Sequence, residues 1–368
     1  MSIVFYISGH GFGHASRDVE IINRLAVDAS DPIVIRSSVA PDLLARTLRV
    51  PYVLLPGACD TGIVQASSIA HDDPATVAAT IAFYSTYDAR VAAEVARLAD
   101  LDVSLIVGDI PPLAFATARA LGVPSIAIGN FTWDWIYETH PGFLPSGAAA
   151  LDQMRESYSR VDLALKLPFA GGFSICPRVE RLPLVARHPT QSRAATRAHF
   201  ALPAAARIAL LSFGGYGLPA LDLSTIDCHG PWTLVTTDRV TGDARHLPHV
   251  HVLAETRFQD GPFRYEDLVA AVDVVVTKPG YGILSECLTS RTAMVYTSRG
   301  VFREYDVLVE AMPRLVRAGF LSQADLFAGR WRETIERVVA LPPPPERIAT
   351  NGAEVAAEKI KSEVRSQK

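Results

Sequence analysis

The stretch Ser8 to Arg17, SGHGFGHASR, puts two kinds of chemistry into ten residues: glycines that let backbone N–H groups face a ligand, and a histidine, His14, where a helical pattern begins. Gly9 and Gly11 fit the first two positions of G-x-G-x-x-G, but the third, which lets helix and strand pack closely, is His14. A titratable side chain thus replaces a packing residue. The positive end of the helix dipole favours the neutral imidazole that a general base needs, and a partner is required to fix its tautomer. Asp109, just past the apolar run Val103 to Val107, is suited to that task at the C-terminal end of a parallel strand. The bland alternative is a histidine that only caps or packs, with His10 bonding locally in the loop.

A second loop, Lys278-Pro279-Gly280-Tyr281-Gly282-Ile283-Leu284-Ser285-Glu286, also opens a helix. Pro279 fixes φ, Gly280 and Gly282 permit close approach, and the N–H groups of residues 281–284 would point at an anion on the helix dipole. Glu286 lies about one and a half turns in, within reach of a ribose diol. No Gly-Lys-Ser/Thr occurs, so this is not a Walker A loop, and an ordinary βα turn is the alternative. Farther on, Arg303 could hold a phosphate or carboxylate and Glu304 sugar hydroxyls, against the plain reading of a solvated helix start. The aromatic segment Phe131, Trp133, Trp135, Tyr137 is either an acceptor platform or half-buried packing. His246-x-x-His249-x-His251 has zinc-like spacing but no clear fourth ligand, and Asp100 and Asp102 fall at the N-terminal edge of a strand, so no metal site is expected.

These residues need strands to aim them. The run Ile3 to Ile7 precedes the first loop; strands at 32–36, 52–55, 103–107, 124–128 and 163–167 alternate with helical patterns, one of them reaching from 71–74 to Leu98. Residues 168–190, rich in Pro, Gly and Arg, read as a linker. The pattern restarts with strands at 208–212, 232–236, 251–253, 272–276 and 293–296, and the turn Phe213-Gly214-Gly215 follows the first of them. After Pro342 to Pro345 a final amphipathic helix is expected from Arg347 to Val364. The fold class is therefore α/β with two doubly wound parallel sheets: residues 1–185, residues 200–341, and a closing helix in 346–368.

A chain of 368 residues suits two domains, and 49% hydrophobic residues fill both cores. With 20% charged residues and a net charge of −4, no basic field points to nucleic acid. Cys59, Cys176, Cys228 and Cys287 show no C-x-x-C spacing and read as buried thiols of a reducing compartment. No apolar run approaches a membrane span and no cleavable leader is evident, so a cytoplasmic location is expected, with a weak membrane-surface contact left open.

Five pieces, SGHGFGHASR at 8–17, GDIPP at 108–112, NFTWDWIY at 130–137, SFGG at 212–215 and KPGYGILSE at 278–286, together resemble GT-B glycosyltransferases. The likeness is closer to the glycosyltransferase-like N-terminal domain of plant-type L-arabinokinases, and looser to the N-acetylglucosaminyltransferase that makes lipid II. The resemblance implies an N-terminal acceptor domain, a C-terminal domain for a nucleotide sugar, usually a UDP-sugar, and a last helix crossing back. It implies His14 as base, with Gly11, Gly13, Asn130 and Trp133 on the acceptor side. Gly214, Gly215, Lys278, Gly280, Tyr281, Gly282, Ser285, Glu286, Arg303 and Glu304 fall on the donor side. The nucleotide sugar is a co-substrate, and no resident cofactor is implied. The galactokinase-like kinase domain of arabinokinases has no counterpart here, so sugar phosphorylation is not expected. The rival readings are a non-catalytic sugar-nucleotide-binding module and an NADP-dependent reductase in which Arg36 would meet the 2′-phosphate.

Overall fold

A computed structural model describes residues 2–25, 32–214, 217–227, 231–238, 244, 246–258 and 261–366. Its strands in chain order are β1 (Ser2–Ile7), β2 (Ile33–Ser37), β3 (Tyr52–Pro56), β4 (Gln65–Ser67), β5 (Ala70–His71), β6 (Val103–Asp109), β7 (Ser125–Gly129), β8 (Leu163–Lys166) and β9 (Val179–Arg181). They continue with β10 (Arg207–Ser212), β11 (Trp232–Thr237), β12 (Val250–Leu253), β13 (Val274–Thr277), β14 (Ala293–Tyr296) and β15 (Ala318–Phe320). A seven-stranded sheet has the order β3-β2-β1-β6-β7-β8-β9, and a six-stranded sheet the order β12-β11-β10-β13-β14-β15. All their pairings are parallel.

Alternation along each central strand shows why both faces must be covered. Val4 and Tyr6 of β1 join one apolar cluster, with Phe115, Trp133 and Tyr158, whereas Phe5 and Ile7 join the cluster on the other face. The second sheet repeats this: Ala209 and Leu211 of β10 face one cluster, and Ile208 and Leu210 the other. Each large side chain so buried contributes roughly 1.5–3 kcal/mol. The last helix, Gly352–Arg365, lays Ala353, Ala356, Ala357 and Ile360 into the cluster of Phe5 and Ile7, so the chain ends on the first sheet.

Several elements differ from the sequence reading. The single helix expected up to Leu98 is two, Asp73–Tyr84 and Tyr87–Leu98, broken where Arg90 Nε donates to both Phe83 O and Thr86 Oγ1 at 3.0 Å. His71 is not at its start: it sits in the β4–β5 hairpin, and Asp72 caps the helix by accepting from Ala75 N at 2.9 Å. The 168–190 segment contains the edge strand β9, and its end is laced to the chain after the proline run by Leu184 N to Ala349 O and Gly352 N to Leu184 O. Among the described residues no helix is long and apolar enough to cross a membrane.

Candidate active site

Parallel pairing of β1 with β6 puts Ile7 beside Asp109, so Asp109 stands where the first glycine loop leaves the sheet. Gly11, at φ +76, turns that loop into the helix Phe12–Ile22, and His14 lies in its first turn. His14 is 5% exposed, and its Nδ1 is 2.9 Å from Asp109 Oδ1. Arg17, one turn on and on the same helix face, reaches the same carboxylate: its Nε donates to Asp109 Oδ2 at 2.5 Å and its Nη2 to Oδ1. Burial opposes ionisation of Asp109, but the Arg17 guanidinium and His14 overcome it and hold the carboxyl below the usual carboxylate range. Phe131 meets the His14 ring edge-on at 5.6 Å.

Arg17 also extends the network. Its Nη1 donates to Asn130 Oδ1 at 2.7 Å, and Asn130 Nδ2 donates to Glu304 Oε1 at 2.7 Å. Asn130 follows β7 and Glu304 opens the helix Arg303–Leu315 after β14, so both lie at C-terminal strand ends of different sheets. The other oxygen of Glu304 is 3.5 Å from Arg299 Nη1.

The second loop leaves β13 through Lys278-Pro279-Gly280 into the helix Tyr281–Ser290. It faces the first loop closely: a Cβ on Gly282 would lie 3.8 Å from Gly13 Cα. In front of Gly280, Gly13 and Gly11 a Cβ would meet nothing within 4 Å, which leaves room over both loops. Tyr281 is buried against the first sheet's core, and its hydroxyl accepts from Val185 N at 3.3 Å. Burial, reinforced by Arg299 and opposed by Glu304, brings the Lys278 ammonium down to about 7.

Other expected residues stand differently. Glu286 is buried and takes a hydrogen bond from Arg187 Nη2, which leaves only its Oε2 without a partner. Ser285 Oγ donates within its own helix to Gly282 O at 2.7 Å. Arg303 does not turn toward the second loop; it covers the Trp135 ring at 4.5 Å and donates to Trp135 O at 3.0 Å. Trp133 is buried in a short helix, its Nε1 donating to Asp60 Oδ2 at 2.8 Å. His10 bonds locally through its backbone, whose N–H donates to Ser8 Oγ at 3.3 Å, but its side chain reaches farther: Nδ1 accepts from Ile63 N at 3.3 Å and the ring stands edge-on to Trp133 at 5.7 Å. Gly214 has φ +71 at the end of β10, and Gly215 lies outside the described residues. Arg36 is bound to Glu94 at 2.9 Å inside the core, which removes the 2′-phosphate contact of the reductase reading.

Sequence reasoning missed Arg17, Arg187 and Arg299. For Arg17 a signal existed, since a cation three residues after His14 shares its helix face; Arg187 and Arg299 sit in segments without periodicity.

No protein-family model matches the chain. The glycosyltransferase of kitacinnamycin superimposes with a TM-score of 0.61 at 18% identity, covering 99% of this chain and 94% of that one. Phytolacca americana UGT2, solved with UDP-2-fluoro-glucose and pterostilbene, gives 0.62 at 14% identity over 99% and 93%. The chain has the GT-B glycosyltransferase fold. In sequence it is similar to L-arabinokinase of Arabidopsis thaliana, 28% identical over a 377-residue alignment that takes in 96% of this chain. It spans 33% of that protein's length.

Proposed function

We propose that the protein is an inverting, metal-independent glycosyltransferase that moves a sugar from a nucleotide sugar, of the UDP type, to an acceptor hydroxyl. The observation that carries this reading is the His14–Asp109 contact at 2.9 Å, set in the cleft opposite a glycine-opened helix on a GT-B fold. With Nδ1 turned to Asp109, His14 Nε2 takes the proton of the acceptor hydroxyl. The acceptor oxygen attacks the anomeric carbon on the face opposite the leaving diphosphate, which inverts that centre. The N–H groups and dipole at Gly280–Tyr281 stabilise the departing nucleoside diphosphate. Structural relatives solved with UDP-2-fluoro-glucose, dTDP and UDP support a nucleotide-sugar donor.

One contact favours a second reading, a non-catalytic sugar-nucleotide-binding module: Glu286, the carboxylate suited to the ribose, is already engaged by Arg187. The two are separated by incubating the protein with UDP-, GDP-, dTDP- and ADP-sugars and following nucleoside diphosphate release by mass spectrometry. Turnover that His14→Ala lowers by roughly 10²–10⁴ is the expected result. Donor binding that raises the melting temperature, with no release in any mixture, replaces the first reading by the second; a ligand at a hundred times its Kd adds about 2.7 kcal/mol.

A further inference from the structure

Around the Phe302 ring the fold gathers one guanidinium and two imidazoles, the latter held by burial below the ordinary histidine range and so neutral. The Arg299 guanidinium lies 4.2 Å from the ring centroid, and the imidazoles of His71 and His10 flank the same ring at 6.0 and 6.2 Å. Lys278 directly precedes Pro279, whose carbonyl accepts from Arg299 Nη1 at 3.1 Å. Against these groups stands Glu304, one of whose oxygens is already engaged by Asn130. Among the described residues the Lys278 ammonium has no ion-pair partner. With Arg299 facing Glu304, the partly buried Lys278 ammonium is the unmatched cation of this group, and an incoming anion matches it.

Arg299 shows what shape the anion has. It is 5% exposed, and its Nη1 serves Pro279 O at 3.1 Å and Glu304, whereas its buried Nε has no hydrogen-bond partner. The hydroxyl of Thr297, two residues earlier and 1% exposed, is likewise unpartnered. The Nε–Nη2 edge of a guanidinium matches the two oxygens of a carboxylate side-on, a fit that an ammonium cannot give. A diphosphate has its own place at the helix N-terminus, where the space before Gly280 is open. Arg299 instead touches Glu304, the residue suited to sugar hydroxyls.

We infer that the donor sugar carries a carboxylate, held by Arg299 and charge-matched by Lys278, so that the cleft selects a nucleotide-activated uronic acid over the neutral hexose. This rests on the nucleotide-sugar reading above. The test is calorimetric titration of the full chain with UDP, UDP-glucose and UDP-glucuronate, repeated on Lys278→Met and Arg299→Lys. At least tenfold tighter binding of UDP-glucuronate than of UDP-glucose is expected for the wild type. Each variant should bring that ratio to within about threefold, with any loss of UDP affinity smaller than the loss of UDP-glucuronate affinity. Equal binding of the two sugar nucleotides by the wild type overturns the inference alone. Loss of UDP affinity in the variants as large as the loss of UDP-glucuronate also overturns it, because the cations then hold the diphosphate. If none of the three ligands binds, both the nucleotide-sugar reading and the inference fall. Wild-type selectivity decides the matter even if a variant does not fold.

Discussion

The Asn130 side-chain amide donates to Glu304 Oε1 at 2.7 Å while its carbonyl accepts from Arg17 Nη1 at 2.7 Å. Arg17 can only donate and an ionised Glu304 can only accept, so the two partners together fix the amide's orientation. One buried side chain thereby ties the helix that carries His14 to the helix that follows β14. Asn130→Asp places two carboxylates in contact where one proton must then be retained. We predict a lower melting temperature and a 10- to 100-fold fall in kcat/KM, corresponding to about 1.5–3 kcal/mol for a buried charged hydrogen bond. Steady-state rates combined with thermal denaturation check both; wild-type kcat/KM in the variant would show that the link is idle.

His14 and Asp109 are expected to act on the chemical step and not on donor affinity. His14→Ala should lower kcat by roughly 10²–10⁴ while the Kd for the donor stays within about twofold. Single-turnover rates with titrated donor affinities separate these effects. A variant that keeps its kcat removes His14 from the mechanism.

On the proposed mechanism Arg17 is a positioning residue: its Nη2 donates to Asp109 Oδ1 and stands 2.9 Å from His14 Nδ1, whose own proton goes to the same carboxylate. Arg17→Met leaves the fully buried Asp109 carboxylate without its fork, at a cost of roughly 3–5 kcal/mol measured by urea unfolding. The pH dependence has a definite sign. Asp109 is held below its ordinary range when folded, so its contribution is present above an unfolded value of about 3.9 and is lost as pH falls through the folded one. Unfolding curves between pH 3 and 5 should therefore show a steeper loss on acidification for the wild type than for Arg17→Met.

Lys278 titrates in the opposite sense. Burial first, then Arg299, lowers its folded value to about 7, so between pH 7 and about 10.4 the unfolded chain binds more protons. Stability from this group rises with pH through that window, and Lys278→Met should flatten the rise in melting temperature between pH 7 and 9. A bound anion pulls the ammonium back up, so binding of an anionic donor takes up a proton above pH 7 and weakens as pH rises. Titration calorimetry in two buffers of different ionisation enthalpy measures the uptake.

Much of this protein was written locally. The apolar strands and the two glycine loops are legible because period-two burial and φ-permissive turns are short-range properties: Val4 and Tyr6 alternate with Phe5 and Ile7 whatever the rest of the chain does. The pairing of His14 with Asp109 was also within reach, since parallel strand ends converge on the same edge of the sheet. Tertiary structure alone decided which cations serve the site. Arg17, Arg36, Arg187, Arg299 and Arg303 are alike in sequence, yet Arg36 is locked to Glu94, Arg303 covers Trp135, Arg187 occupies Glu286, and Arg17 and Arg299 close on the cleft. A guanidinium on a long side chain takes whichever buried acceptor the packing brings within reach, and for Arg36, Arg17, Arg187 and Arg303 the carboxylate or carbonyl taken lies 58 to 168 residues away, which no local pattern reveals.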